Sequence, residues 1–348
     1  FCIATGYFMI LKAASFVPQS SMRMIELWKE AGLPDGVLNL FTAGRNEAEI
    51  LLKHPDIKGV SFVGSTKVGK HIYSTAAAHG KRVQALTEAK NHALVLRDCK
   101  LERTAHGIIN AFCGCAGQRC MALPTIVVEN AIADELVGYL KKFAIEHQKH
   151  QGKAFEKSSQ MGPVVNKGHM EFVLNWIETG VKEGAELILD GRNPEVPEGC
   201  ENGYFIGPTI FDKVTEEMSI GREEIFGPVL CIKRVENFEE GLEIMNNSRF
   251  ANGSVIYTQN GYYAREFAHR TDGGMVGINV GIPVPVGIFG FTGHKQSFFG
   301  DLHVMGRDGF AFFTETKNVT QTWFQEEGEM DIKVDTWDGT ITSLPEKD

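Results

Sequence analysis

The sequence predicts an α/β protein built on a doubly wound, mostly parallel sheet, and three observations lead there. Strand-like runs alternate with amphipathic helical stretches through the first ninety residues, the pattern of parallel βαβ units with right-handed crossovers. Glycine supplies 38 of 348 residues, well above the usual share of about 7%, so many tight turns and close backbone approaches are expected. A hydrophobic fraction of 43% with 23% charged residues suits packed cores, and the length suggests about two domains.

In chain order, residues 8–11 are a short apolar run that reads as a core element. Residues 21–31 carry Met24, Ile25 and Trp28 on one helical face, and Gly32 with Pro34 ends that helix. A strand follows at 37–41, a helix at 47–53 stopped near Pro55, a strand at 59–63 and a helix at 67–78 ended by Gly80. Residues 82–86 and 92–96 are two more strands. Beyond Lys100 the pattern stays mixed, with helices expected at 102–111, 134–146 and 167–183. Turns fall at Gly162-Pro163, Gly207-Pro208 and Gly227-Pro228, and 281–290 should form an irregular, well-packed loop. A closing strand is expected near 309–318. Its run Phe310-Ala311-Phe312-Phe313 is apolar enough to invite edge pairing, hence an oligomer interface.

The net charge of −9 argues against nucleic acid or an anionic membrane as partner, because either would call for a basic face. No apolar run approaches the roughly 20 residues of a membrane-spanning helix. The opening residues are broken by Lys12 and lack a basic lead, unlike a secretory signal. They begin with Phe inside an apparent element, which leads us to expect a longer protein. Seven thinly spread cysteines favour free thiols in a reducing compartment over a disulfide framework, and no metal-ligand spacing accompanies them.

Two segments carry chemistry. Gly64-Ser65-Thr66-Lys67-Val68-Gly69-Lys70 follows a strand and opens a helix, where free N–H groups and the helix dipole favour a phosphate. His71 stands where a P-loop needs Ser or Thr for magnesium, and no GxGxxG is present. The other segment is Cys113-Gly114-Cys115-Ala116-Gly117-Gln118-Arg119-Cys120-Met121. A thiolate beside an arginine in a glycine-lined turn is expected to have a lowered pKa and to stay accessible.

Gly-Gln-Arg-Cys-Met-Ala at 117–122 resembles the nucleophile segment of the aldehyde dehydrogenase superfamily. Glu223-Glu224-Ile225-Phe226-Gly227-Pro228 is similar to its nicotinamide-side motif, and Phe62-Val63-Gly64-Ser65 to its phosphate turn. Gln118-Arg119, Ala89-Lys90-Asn91-His92, Ile282-Pro283-Val284-Pro285 and Phe291-Thr292-Gly293 resemble the methylmalonate-semialdehyde, CoA-acylating branch. The likeness runs to about Trp323 and omits roughly the first third of a full-length member.

The resemblance implies Cys120 as nucleophile, Arg119 on the substrate carboxylate, and NAD held by Lys12, Gly64, Ser65, Gly69, Glu224 and Phe226. It implies coenzyme A as co-substrate, loss of CO2, a semialdehyde from valine or pyrimidine breakdown, and a homo-oligomer, dimer or tetramer. It places the branch in the mitochondrial matrix of eukaryotes, otherwise in the cytoplasm. The absent third would carry the oxyanion-hole Asn and a second carboxylate-binding Arg. The implied layout is a partial NAD-binding domain at 1–90, an α/β catalytic domain at 91–298, an oligomerisation segment at 299–325 and a surface tail at 326–348.

Hydrolytic members place a water-activating Glu where this chain has Leu86, which cannot accept a proton. A CoA thiol, with a pKa of about 8.5, can attack without such a base. The family's ribose-binding Glu is also missing, Lys12-Ala13-Ala14-Ser15 standing in its place. Two other readings stay open: a hydrolytic enzyme using Glu88, and a catalytically weakened member acting as a subunit.

Overall fold

The computed structural model describes residues 1–321 and 323. Phe1–Thr314 form one compact unit. Its first part runs β1 (Met9–Lys12), α1 (Pro18–Glu30), β2 (Leu38–Phe41), α2 (Arg45–Lys53), β3 (Gly59–Val63), α3 (Thr66–Ala78) and β4 (Arg82–Leu86). Next come β5 (His92–Val95), α4 (Leu101–Cys113), β6 (Thr125–Glu129), α5 (Asn130–Gln148), α6 (Lys167–Lys182), β7 (Glu186–Leu189), β8 (Thr209–Asp212) and β9 (Val229–Val235). The remainder is α7 (Phe238–Asn246), β10 (Phe250–Ala251), β11 (Gly253–Tyr257), α8 (Gly261–Arg270), β12 (Met275–Ile278), β13 (His294–Lys295), β14 (Phe298–Phe299) and α9 (Gly306–Phe312).

The doubly wound architecture is present, most fully in a seven-stranded sheet of order β12-β11-β5-β6-β9-β8-β7, parallel except for the edge strand β7. Every residue of β5 and β6 is buried, as a strand covered on both faces requires. The two-residue period divides them between two cores. Ala93, Val95, Ile126 and Val128 pack with Ile108, Phe112, Leu136 and Leu140 of α4 and α5. Leu94, Val127 and Ile256 face Phe238, Leu242 and Phe267 of α7 and α8 on the other side.

A three-stranded sheet, β14-β4-β3, leads into the Gly64-Ser65 turn, with β3 and β4 parallel and β14 antiparallel to β4. β1 and β2 pair only with each other among the described residues. Here the sequence expectation of a core needs correction. Phe8 is 75% exposed, and Met24 and Trp28 stay exposed along a helix that buries no residue. An apolar face becomes core only when it is well covered, and this two-stranded piece pairs with no further strand among the described residues. α1 also starts earlier than expected, at Pro18, whose fixed φ suits a first helical turn.

The expected strand at 309–318 is likewise corrected: α9 takes its first part, and residues 313–321 contain no strand. Phe310, Phe312 and Phe313 are spaced to suit either element, and packing decides. Phe312 is buried beside Gly59 with the Arg82 guanidinium 5.5 Å over its ring, while Arg82 donates to the Ala311 carbonyl at 2.9 Å. The loop 281–290 is irregular as expected but leaves Val286, Ile288 and Phe289 exposed. The tail expected at 326–348 lies outside the described residues. Among the described residues no helix is long and apolar enough to cross a membrane.

Candidate active site

One stretch of chain, residues 86–91, crosses from the end of β4 to the start of β5 and touches every chemistry-bearing segment. At its start the Leu86 carbonyl accepts the Gly64 N–H at 3.1 Å, fixing the turn into α3. Thr87 packs so closely on α3 that a Cβ at Gly69 would lie 2.2 Å from its Cγ2. The Ala89 N–H donates to Glu224 Oε1 at 3.0 Å. Lys90, fully buried, donates to the Ile220 carbonyl at 2.8 Å and so ties down the turn leading to Glu224. Asn91 Nδ2 donates to the carbonyls of Cys120 at 2.8 Å and Ala122 at 2.7 Å. Segments distant in sequence thus meet between the carboxyl ends of β3 and β4 and the amino ends of β5, β6, β9 and β11.

The Cys120 loop is unusual backbone. α4 ends at Cys113, and then Cys115 (φ 54°), Ala116 (φ 52°) and Gly117 (φ 72°) are all left-handed. Two of these carry a Cβ, so the turn is strained by something like 1–2 kcal/mol per residue. It is held by contact: a Cβ at Gly117 would sit 2.1 Å from the Gly227 carbonyl oxygen. The Cys120 loop and the Glu224–Pro228 turn are therefore seated directly on one another. Phe226 is also left-handed at φ 56°, and its carbonyl accepts from His169 Nε2 of α6 at 2.7 Å.

Cys120 is half-buried, between sealed and open. The expected lowering of its pKa is not found. Burial pushes the thiol up, and the neighbouring Glu224 adds to that, while the N–H groups of Cys120 and Met121 and the Arg119 charge pull it down. Arg119 contributes least because its guanidinium is turned away, with Nη2 donating to the last carbonyls of α4, Asn110 at 2.8 Å and Ala111 at 3.1 Å. It acts there as a C-terminal helix cap. Glu224 is largely enclosed, and burial pushes its carboxyl up to about 7 against the lowering effect of the Ala89 N–H, with Glu88 close enough to raise it further.

The residues expected to hold NAD fit such a group at α3. Gly64 and Ser65 are exposed, Ser65 caps the helix without a side-chain bond, and the Thr66 hydroxyl is buried with no partner among the described residues. An orphaned hydroxyl beside the free N–H groups of a helix start is what a pyrophosphate would satisfy. Lys12 is not joined to this cluster: its ammonium lies 3.1 Å from the Ala13 carbonyl at the exposed end of β1. Thr66, Thr87 and Asn252 went unnoticed in the sequence, because a threonine or asparagine in a strand-rich chain gives no motif signal. A cavity of about 410 Å³ lies at the other end of the large sheet beside Arg97, Asp98 and Glu129. Its charged groups already have partners, Arg97 with Glu129 across the cavity and Asp98 with the buried Thr258 hydroxyl, and it touches none of the site residues.

A model of the aldehyde dehydrogenase family matches residues 1–319. Malonate-semialdehyde dehydrogenase 1 of Oceanobacillus iheyensis is 48% identical over 323 residues, covering 92% of this chain and 65% of that protein. Malonate-semialdehyde dehydrogenase 2 of Geobacillus kaustophilus is 49% identical over 321 residues, covering 92% and 66%. Among solved structures, one from Sinorhizobium meliloti, complexed with NAD and bearing the methylmalonate-semialdehyde dehydrogenase name, superposes with a TM-score of 0.91. It is 41% identical and covers 94% of this chain and 66% of that one. Methylmalonate-semialdehyde dehydrogenase from Oceanimonas doudoroffii gives a TM-score of 0.89 at 40% identity, covering 92% and 65%. The chain spans 65–66% of the length of these relatives. They are bacterial and lend no support to a mitochondrial setting.

Proposed function

This chain belongs to the aldehyde dehydrogenase family, and from that premise we propose that it oxidises malonate or methylmalonate semialdehyde with NAD and passes the acyl group to coenzyme A, releasing CO2. The observation that most supports the reading is the convergence of Cys120, Glu224 and the start of α3 on residues 86–91.

Bound NAD supplies an acceptor for hydride. The residues of the chain do the rest. The α3 amino end and the Thr66 hydroxyl hold the pyrophosphate, Gly64 and Ser65 keep the approach open, and Gly69 seats α3 on Thr87. Glu224 takes the ribose, with Phe226 beside the ring and Lys12 on the adenosine side. To take the substrate carboxylate, Arg119 turns its fork from the α4 carbonyls toward Cys120, its paired donors suiting that group. Cys120 Sγ, as thiolate, bonds to the aldehyde carbon, and hydride leaves that carbon to give a thioester on Sγ. The carbon–carboxylate bond then breaks, CO2 departs, and the carbon left behind takes up a proton. The CoA thiolate attacks the thioester carbon, and Sγ leaves as thiolate, ready for another turn. Leu86 offers no base for water, and a thiol nucleophile needs none. The proposal includes assembly as a homo-oligomer, dimer or tetramer, checked by analytical ultracentrifugation.

Purified protein is given NAD and malonate semialdehyde with and without CoA. NADH formation that depends on CoA supports the proposal; an equal rate without CoA refutes the acylating step. In that event the hydrolytic reading requires Glu88→Gln to abolish turnover.

A further inference from the structure

The carbonyl of Cys120 is gripped twice. Asn91 Nδ2, arriving just before β5, donates to it at 2.8 Å, and Asn252 Nδ2, just before β11, donates at 3.0 Å. Both asparagines are 5% exposed. Both are held in turn: Asn91 Oδ1 accepts the Gly253 N–H at 2.8 Å, and Asn252 Nδ2 also lies 3.1 Å from Met121 Sδ. Gly253 allows this arrangement, since a Cβ there would lie 3.0 Å from Met121 Cε and 3.2 Å from Asn91 Oδ1. Two buried amides from separate segments of the chain thus donate to one carbonyl on the nucleophile itself.

That carbonyl belongs to the peptide group whose other end is the Met121 N–H, and this N–H, together with that of Cys120, favours the thiolate against the burial that opposes it. Hydrogen bonds in series polarise one another, so donors at the oxygen make the N–H at the far end a stronger donor. We infer that Asn91 and Asn252 form an amide clamp that fixes the Cys120 side chain in the site and, through the shared Cys120–Met121 peptide, strengthens the N–H that holds its thiolate. They are positioning residues, touching neither substrate nor cofactor. The inference deepens the proposed function, because it matters for turnover only if Cys120 is the nucleophile.

The test reads the thiol directly. Cys120 alkylation by iodoacetamide is followed by peptide mass spectrometry from pH 6 to 10 in wild type, Asn252→Leu and Asn91→Asp. Loss of one polarising bond from the series predicts alkylation at pH 7 about threefold slower in Asn252→Leu, with the profile displaced to higher pH. Asn91→Asp, which also sets an oxygen against the carbonyl, moves it further the same way. A purely structural role would lower the melting temperature and leave the pH profile in place. A profile superposable on wild type in a folded Asn252 variant overturns the inference. Should Asn252→Leu not fold, Asn252→Ser withdraws the same donor with less bulk and carries the same expectation. Wild type that makes no NADH while the alkylation shift persists would remove the functional reading and leave the clamp standing.

Discussion

Replacing Glu224 with Gln removes an ionisation that burial opposes while keeping an oxygen for the Ala89 N–H. The folded carboxyl is raised from 4.5 to about 7. Between those values the folded chain holds a proton that the unfolded chain has released, so wild type loses stability as pH rises through that window and keeps the loss above it. At 1.36 kcal/mol per pH unit the full effect is about 3 kcal/mol. Gln carries no such dependence. The stability of Glu224→Gln relative to wild type should therefore grow by about 3 kcal/mol from pH 4.5 to pH 8, or about 5 °C in Tm for a large chain. Urea unfolding followed by tryptophan fluorescence at matched pH values measures it, with turnover falling in the same variant. Parallel stability curves for the two proteins across the window would refute the claim that this carboxyl is enclosed and held neutral.

Three further outcomes follow from the packing. Gly117→Ala should lower Tm by several degrees and cut NADH formation more than tenfold, since its Cβ would stand 2.1 Å from the Gly227 carbonyl at a φ of 72°; differential scanning fluorimetry and initial rates check both. Gly69→Ala should weaken NAD binding by forcing α3 off Thr87 Cγ2, and adding Thr87→Ser, which removes that methyl but keeps the hydroxyl on the Gln296 carbonyl, should restore it in calorimetric titration. Lys90 is held below its ordinary pKa by burial, so the unfolded chain binds the extra proton and wild type gains stability as pH rises toward 10.5. Lys90→Met should lack that gain when denaturant unfolding at pH 7 and pH 9.5 is compared.

The legible part of the site was the part with local chemistry. Gly64-Ser65 before a helix, Gly117 before Cys120 and Gly227-Pro228 after Glu224 announce turns through residue types that only such turns require, and the structure brings those motifs together. Lys12 was matched by motif alone and stands apart from them. Arg119 was legible as a charge beside the nucleophile, but its direction was not, because the carbonyls it caps become acceptors only once α4 ends at Cys113. The helix at Gly306–Phe312 was misread for a related reason: its aromatic spacing fits either element, and Arg82 and Gly59 decide the matter from far upstream.

The sequence by itself determined the alternation of strand and helix and the buried strands with their two-residue period, and it singled out Cys120 and Glu224 as the sulfur and carboxyl proposed for the chemistry. Tertiary structure decided how acidic those two groups are and how they are held. Desolvation depends on everything packed around a group, and the amides on the Cys120 carbonyl come from 29 and 132 residues away. Local pattern cannot carry contacts over such separations; only the closed sheet brings them within hydrogen-bond reach.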